Sequence, residues 1–199
     1  MPRTVRSQQR VPPLLSGYAE KPRWSPDGKH IAFYAIAPGA NRPSLGIVKA
    51  DGKEERILRT PILGDIDWAP DGKSIAFGEK PTAAAHIAAI GIDGKNFRIL
   101  LISAFQPRYS PDGNKLLFVT YTPRYAVAIQ NADGSGERLV LDGVFVSNAT
   151  NWNYDGGEIT ARRLIAASRT GYYIQAPNND STPRRFPQLD SFAYVSDWQ

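Results

Sequence analysis

Trp24-Ser25-Pro26-Asp27-Gly28-Lys29-His30-Ile31-Ala32-Phe33 decides the fold, because the chain writes it more than once. It returns as Trp68-Ala69-Pro70-Asp71-Gly72-Lys73-Ser74-Ile75-Ala76-Phe77, and again as Tyr109-Ser110-Pro111-Asp112-Gly113-Asn114-Lys115-Leu116-Leu117-Phe118. A decayed copy runs from Trp152 to Ala161, and Trp198 stands where another would open. The aromatic positions lie 44, 41, 43 and 46 residues apart. A period of that size means a repeat architecture, each copy being one supersecondary unit that stacks on its neighbours. In each full copy proline presets φ, aspartate follows, and glycine is free to take positive φ, which is the chemistry of a tight hairpin.

A second turn follows each first one, at Asp51-Gly52, Asp93-Gly94, Asp133-Gly134 and, degraded, Asn179-Asp180. Short apolar runs precede these turns, and Arg56-Ile57, Arg98-Ile99, Arg138-Leu139 and Arg185-Phe186 follow them. Each repeat therefore supplies four strands and two hairpins. Four antiparallel strands per period is the pattern of a β-propeller blade. The stretch Glu158 to Ser168 has no capping box and no sustained apolar stripe of helical period, and reads as a variant second strand and loop.

The Trp-Ser-Pro-Asp-Gly-Lys string at Trp24, its near copy at Trp68 and the tyrosine version at Tyr109 resemble the repeat of the TolB-like β-propellers, which are similar to WD-repeat proteins. The resemblance covers about Leu14 to Phe186. It implies a fold used by periplasmic Tol-Pal components and by propeller domains fused to serine peptidases, and it implies a ring of six blades. A fold reused so widely leaves function to the site.

The expected fold class is all-β: one propeller domain over residues 1–199, with blades at about 20–60, 64–101, 105–142 and 148–187. Terminal strands at 10–15 and 192–198 read as half-blades. The expectation is a fragment of a longer propeller, with self-association through those strands, or closure of a small ring, as the alternatives at the ends.

The absence of cysteine removes disulfides, thiolate metal sites and cysteine nucleophiles. No apolar stretch approaches the length of a membrane span, and Met1 to Arg10 is polar and basic, unlike a secretory signal. The protein as written is expected in the cytoplasm, and in the periplasm if its true start lies upstream. Net charge is +5, spread over the repeats, so a solvated surface is favoured over a nucleic-acid partner.

Asp27, Asp71, Asp112 and Asp155 sit inside turns, where a short carboxylate bonds nearby backbone amides. That scaffold role is preferred to a metal or catalytic ring. His30 and His86 occupy different repeat slots and make a poor metal site. Ser25 and Ser110 are turn residues, no Gly-x-Ser-x-Gly elbow exists, and no phosphate loop or cofactor is indicated. In a propeller the strand bearing the aromatic lines the central channel, which makes Arg23, Asp67, Arg108 and Asn151 the channel-facing candidates. Pairing with a carboxylate of a neighbouring blade, Asp67 for example, is the alternative for the arginines. The functional expectation is a non-catalytic scaffold that binds a protein or peptide in the channel or on the loop face, where Ala35 to Ser44 and Gly78 to Ala85 differ in length. A propeller accessory to a peptidase or hydrolase encoded elsewhere, or one that binds carbohydrate, is the alternative.

Overall fold

The computed structural model describes residues 18–80, 84–121, 125–142, 150–166, 169–175 and 183–185. Among these residues sixteen strands form four antiparallel sheets of four, each in simple chain order. Blade 1 is β1 (Tyr18–Trp24), β2 (His30–Ile36), β3 (Ser44–Lys49) and β4 (Arg56–Arg59). Blade 2 is β5 (Leu63–Trp68), β6 (Ser74–Glu79), β7 (His86–Gly91) and β8 (Arg98–Ile102). Blade 3 is β9 (Ala104–Tyr109), β10 (Lys115–Thr120), β11 (Ala126–Asn131) and β12 (Arg138–Asp142). Blade 4 is β13 (Asn151–Trp152), β14 (Ile159–Ala166), β15 (Arg169–Gln175) and β16 (Arg184–Arg185). No helix occurs among the described residues, and β14 occupies the stretch read from sequence as a variant strand. The half-blades expected at 10–15 and 192–198 lie outside the described residues.

The turns hold as their chemistry requires. Gly28, Gly72, Gly113 and Gly156 take φ of 68°, 68°, 75° and 74°, and the amide of each bonds the carbonyl three residues back at 2.8–3.1 Å. The turn carboxylate then caps the amide two residues on, as Asp71 does for Lys73 at 2.9 Å and Asp112 for Asn114 at 3.0 Å. Asp51, Asp93 and Asp133 repeat the arrangement in the second turns.

The middle strands of blades 2 and 3 are apolar on both faces because each of these blades lies between two others. From blade 1, Ala32, Tyr34, Leu45 and Ile47 pack against Ile66, Trp68, Ile75, Phe77, Ala88 and Ile90 of blade 2. Leu117, Val127 and Ile129 of blade 3 meet Trp152, Ile159 and Ala161 of blade 4 in the same way. A buried side chain of this size is worth about 1.5–3 kcal/mol. The outer strands β4 and β8 are exposed or half-buried throughout, and β12 buries only Leu141.

The shared repeat slot predicts Trp24, Trp68, Tyr109 and Trp152 buried alike in successive blades, and this fails for two of them. Trp68 and Trp152 are buried, at 6% and 7% exposure, but Trp24 is 59% exposed and Tyr109 is only half-buried. The aromatic packs against the preceding blade, and among the described residues no blade precedes β1. The same residue in the same slot is therefore core or surface according to its neighbour.

Candidate functional site

The strand bearing the aromatic is bulged in blades 1 to 3, with register shifts at Glu20/Arg23, at Leu63/Ile66 and opposite Leu117/Val119. A bulge bends the strand and re-aims side chains, and bulges concentrate beside functional sites. Lys21 and Gln106, each three residues ahead of its aromatic, sit in the left-handed region at φ 51° and 57°, a conformation that costs a side-chain-bearing residue about 1–3 kcal/mol.

Asp65 occupies that same slot in blade 2 and ties three blades together. It is 3% exposed. Its carboxylate accepts Arg108 Nη2 of β9 at 2.5 Å and Lys21 Nζ of β1 at 3.3 Å. Arg108 also donates to the Ile66 and Pro107 carbonyls at 3.4 and 2.9 Å. The four channel candidates therefore take different roles. Arg108 is buried at 6% exposure and is paired with Asp65 rather than with Asp67. The Asp67 carboxylate instead accepts the Tyr109 amide at 2.8 Å. Burial pushes the Asp67 carboxyl above its ordinary value, with Arg108, the Tyr109 amide and Arg23 pulling the other way. Arg23 is half-buried and offers its carbonyl to the Trp68 indole, while the half-buried Asn151 offers its own to the Thr160 hydroxyl at 3.5 Å.

The bulged strands begin on one loop face, and two clefts open there. The first, about 490 Å³, lies between blades 1 and 2 and is walled by Lys21, Tyr34, Pro43, Ile62 and Leu63, with Glu20, Arg42 and Lys80 also lining it. The second, about 340 Å³, lies between blades 2 and 3 and shares Leu63, Gly64 and Lys80 with the first. Its far wall is an aromatic triplet. The Phe105, Tyr121 and Tyr125 ring centroids lie 6.1–6.4 Å apart, spacings at which aromatic pairs attract beyond their area burial. Tyr121 is fixed by the Ala85 amide, which donates to its hydroxyl at 2.7 Å. Tyr125 and Leu63 stay exposed, at 49% and 44%.

The remaining candidates are structural. His86 bonds Glu79 at 3.0 Å, and Glu79 also accepts Arg59 Nε at 2.9 Å. His30 is half-buried at the start of β2. Among the described residues no cluster suits a metal ion. Ser25 and Ser110 donate to Asp27 and Asp112 at 2.6 Å, and those hydroxyls are the first cause holding both carboxyls below their ordinary value.

Sequence reasoning missed Lys21, Asp65 and Tyr125. A signal for the first two was present, since Lys21, Asp65 and Gln106 share one repeat slot. Tyr125 follows a β2–β3-type loop and carries no repeat signature.

No family model matches the sequence. An uncharacterized protein of Agrobacterium fabrum is 30% identical over 161 residues, covering 71% of this chain and 54% of that protein. The Tol-Pal system protein TolB of Gluconobacter oxydans is 37% identical over 106 residues, 48% of this chain and 23% of that protein. The chain thus spans about half or less of the curated relatives it matches. Among solved structures, a putative TolB from Agrobacterium tumefaciens superposes with a TM-score of 0.69 at 17% identity, over 86% of this chain and 67% of that one. Lyase and peptidase structures share the fold as well.

Proposed function

We propose that this protein, whose fold is that of a TolB-like β-propeller, is a non-catalytic module that binds a protein or peptide segment on the loop face where the inner strands of blades 1 to 3 begin. The observation behind the proposal is the continuity of the two clefts through Leu63, Gly64 and Lys80. They make one groove across three blades, with exposed Leu63 where the clefts meet and exposed Tyr125 on the aromatic wall. Exposed aromatic and aliphatic anchors in a concave site are the usual source of binding energy in peptide recognition. The turn serines, already bonded to their own aspartates, support a non-catalytic role. The likeness to a Tol-Pal protein supports a periplasmic setting. Among the described residues no helix is long and apolar enough to cross a membrane.

Peptide display on the immobilised protein tests the proposal. Selection is expected to enrich a consensus with an apolar or aromatic residue, and the Leu63→Ser/Tyr125→Ser variant should lose it. Absence of any consensus, or one that survives the double substitution, contradicts the groove.

A further inference from the structure

The cleft between blades 1 and 2 holds a polar group that the protein leaves unanswered. Tyr34 is 3% exposed, and its hydroxyl has no hydrogen-bond partner among the described residues. A buried donor left without a partner costs free energy, so an orphan in a folded protein calls for an explanation. Tyr34 lines an open cleft, and its hydroxyl is closed off from solvent while Lys21 stays in place. Lys21 lies over the Tyr34 ring, with Nζ 5.0 Å from its centroid. Two exposed cations, Arg42 and Lys80, also line the cleft, against the single carboxylate of Glu20.

Lys21 is also the spare partner of its own ion pair. Asp65 is held by Arg108 at 2.5 Å, inside the fold, and by Lys21 at 3.3 Å from a side chain that is 38% exposed. When Lys21 turns away, Asp65 keeps its buried guanidinium and is not orphaned.

We propose that this cleft is a carboxylate-binding site, in which an incoming carboxylate draws Lys21 from Asp65 and accepts the Tyr34 hydroxyl. Lys21, Arg42 and Lys80 in the cleft, with Arg108 behind Asp65, outnumber the carboxylates of Glu20 and Asp65 and favour an anion, and a hydroxyl with no acceptor supplies the directed bond that distinguishes a site from a diffuse field. The proposal deepens the groove reading by naming the chemistry of one end of it, but it does not depend on a peptide as the source. The free carboxyl end of a polypeptide, an acidic side chain and a free dicarboxylate all present the group.

The test is calorimetric titration of the whole protein with four probes: succinate, a capped tetrapeptide bearing a free C-terminal carboxylate, its C-terminal amide, and an amidated peptide with one internal glutamate. Binding of any carboxylate probe but not of the neutral amide is expected, weakening as salt screens the exposed cations. Tyr34→Phe, which keeps the ring, should weaken it about 10-fold, and Lys21→Met at least as much. The source is the probe that binds tightest. Succinate binding alone upholds this site while counting against the peptide reading, and a display consensus without carboxylate dependence does the reverse. Equal affinity for acid and amide, or Tyr34→Phe binding like the parent with an unchanged thermal midpoint, overturns the proposal.

Discussion

The indole Nε1 of Trp152 donates to the carbonyl of Arg108 at 3.1 Å, and Trp68 does the same to Arg23 at 2.9 Å, so each tryptophan is tethered to the residue that precedes the aromatic of the blade before it. Blade 3 carries Tyr109 in this slot and lacks the indole donor. There the same two slots are joined in the same direction by other atoms, with the Tyr109 backbone amide donating to the Asp67 carboxylate at 2.8 Å. The repeat thus keeps an inter-blade bond while changing the atoms that make it.

Trp68→Ala should cost about 3–5 kcal/mol, because it removes a buried ring that packs across two blades. Trp68→Phe should cost less, in part the tether's roughly 1 kcal/mol. Trp24→Ala, at 59% exposure, should fall below about 1 kcal/mol. Urea denaturation of the three variants checks the order, and equal losses at Trp24 and Trp68 would refute the account of the slot.

Asp65→Asn should destabilise the protein by about 3–5 kcal/mol, since it strands a buried arginine. The double variant Asp65→Leu/Arg108→Met should recover much of that loss, as buried ion pairs replaced by apolar side chains often do. A double-mutant cycle reads the coupling directly.

Asp67 and Asp112 should respond to pH in opposite senses. Burial raises the Asp67 carboxyl above 3.8, so its contribution is full below that pH and is lost as pH rises through the raised value. The Ser110 hydroxyl lowers Asp112 below 3.8, so its contribution is present above that pH and is lost as pH falls through the lowered value. Asp67→Asn keeps an acceptor for the Tyr109 amide and should gain on the parent as pH rises above 3.8, whereas Asp112→Asn should lose ground on it as pH rises toward 3.8. Urea midpoints across the range decide it.

Asp71→Ala should cost about 0.5–1.5 kcal/mol, the worth of one turn hydrogen bond to Lys73. Thermal midpoints of parent and variant should respond equally to added calcium or zinc. A shift confined to the parent would revive the carboxylate ring as a metal site.

The hairpins and the blade count were legible in the sequence because Pro-Asp-Gly imposes local φ requirements that recur at a fixed period. Trp24 departs from its copies because its burial depends on the neighbouring blade and not on its own slot. The Lys21–Asp65–Arg108 link was hidden for a related reason. Its partners lie 44 and 43 residues apart, and only the bulges turn that slot toward the adjoining strand. The shared repeat slot points Arg108 to Asp67, whereas the bulge between Leu63 and Ile66 breaks the alternation that would set Asp65 and Asp67 on one face. The groove face was legible only as loops of unequal length.

The groove itself is tested most directly by photo-crosslinking. A crosslinking phenylalanine analogue replaces Tyr125 in one sample and Ile99, exposed on the outer strand β8, in another, and each is irradiated with the peptide selected by display. The account predicts a covalent adduct from position 125, competed by unlabelled peptide, and none from position 99. Adducts from position 99 with none from position 125 would place binding on the outer rim and contradict it.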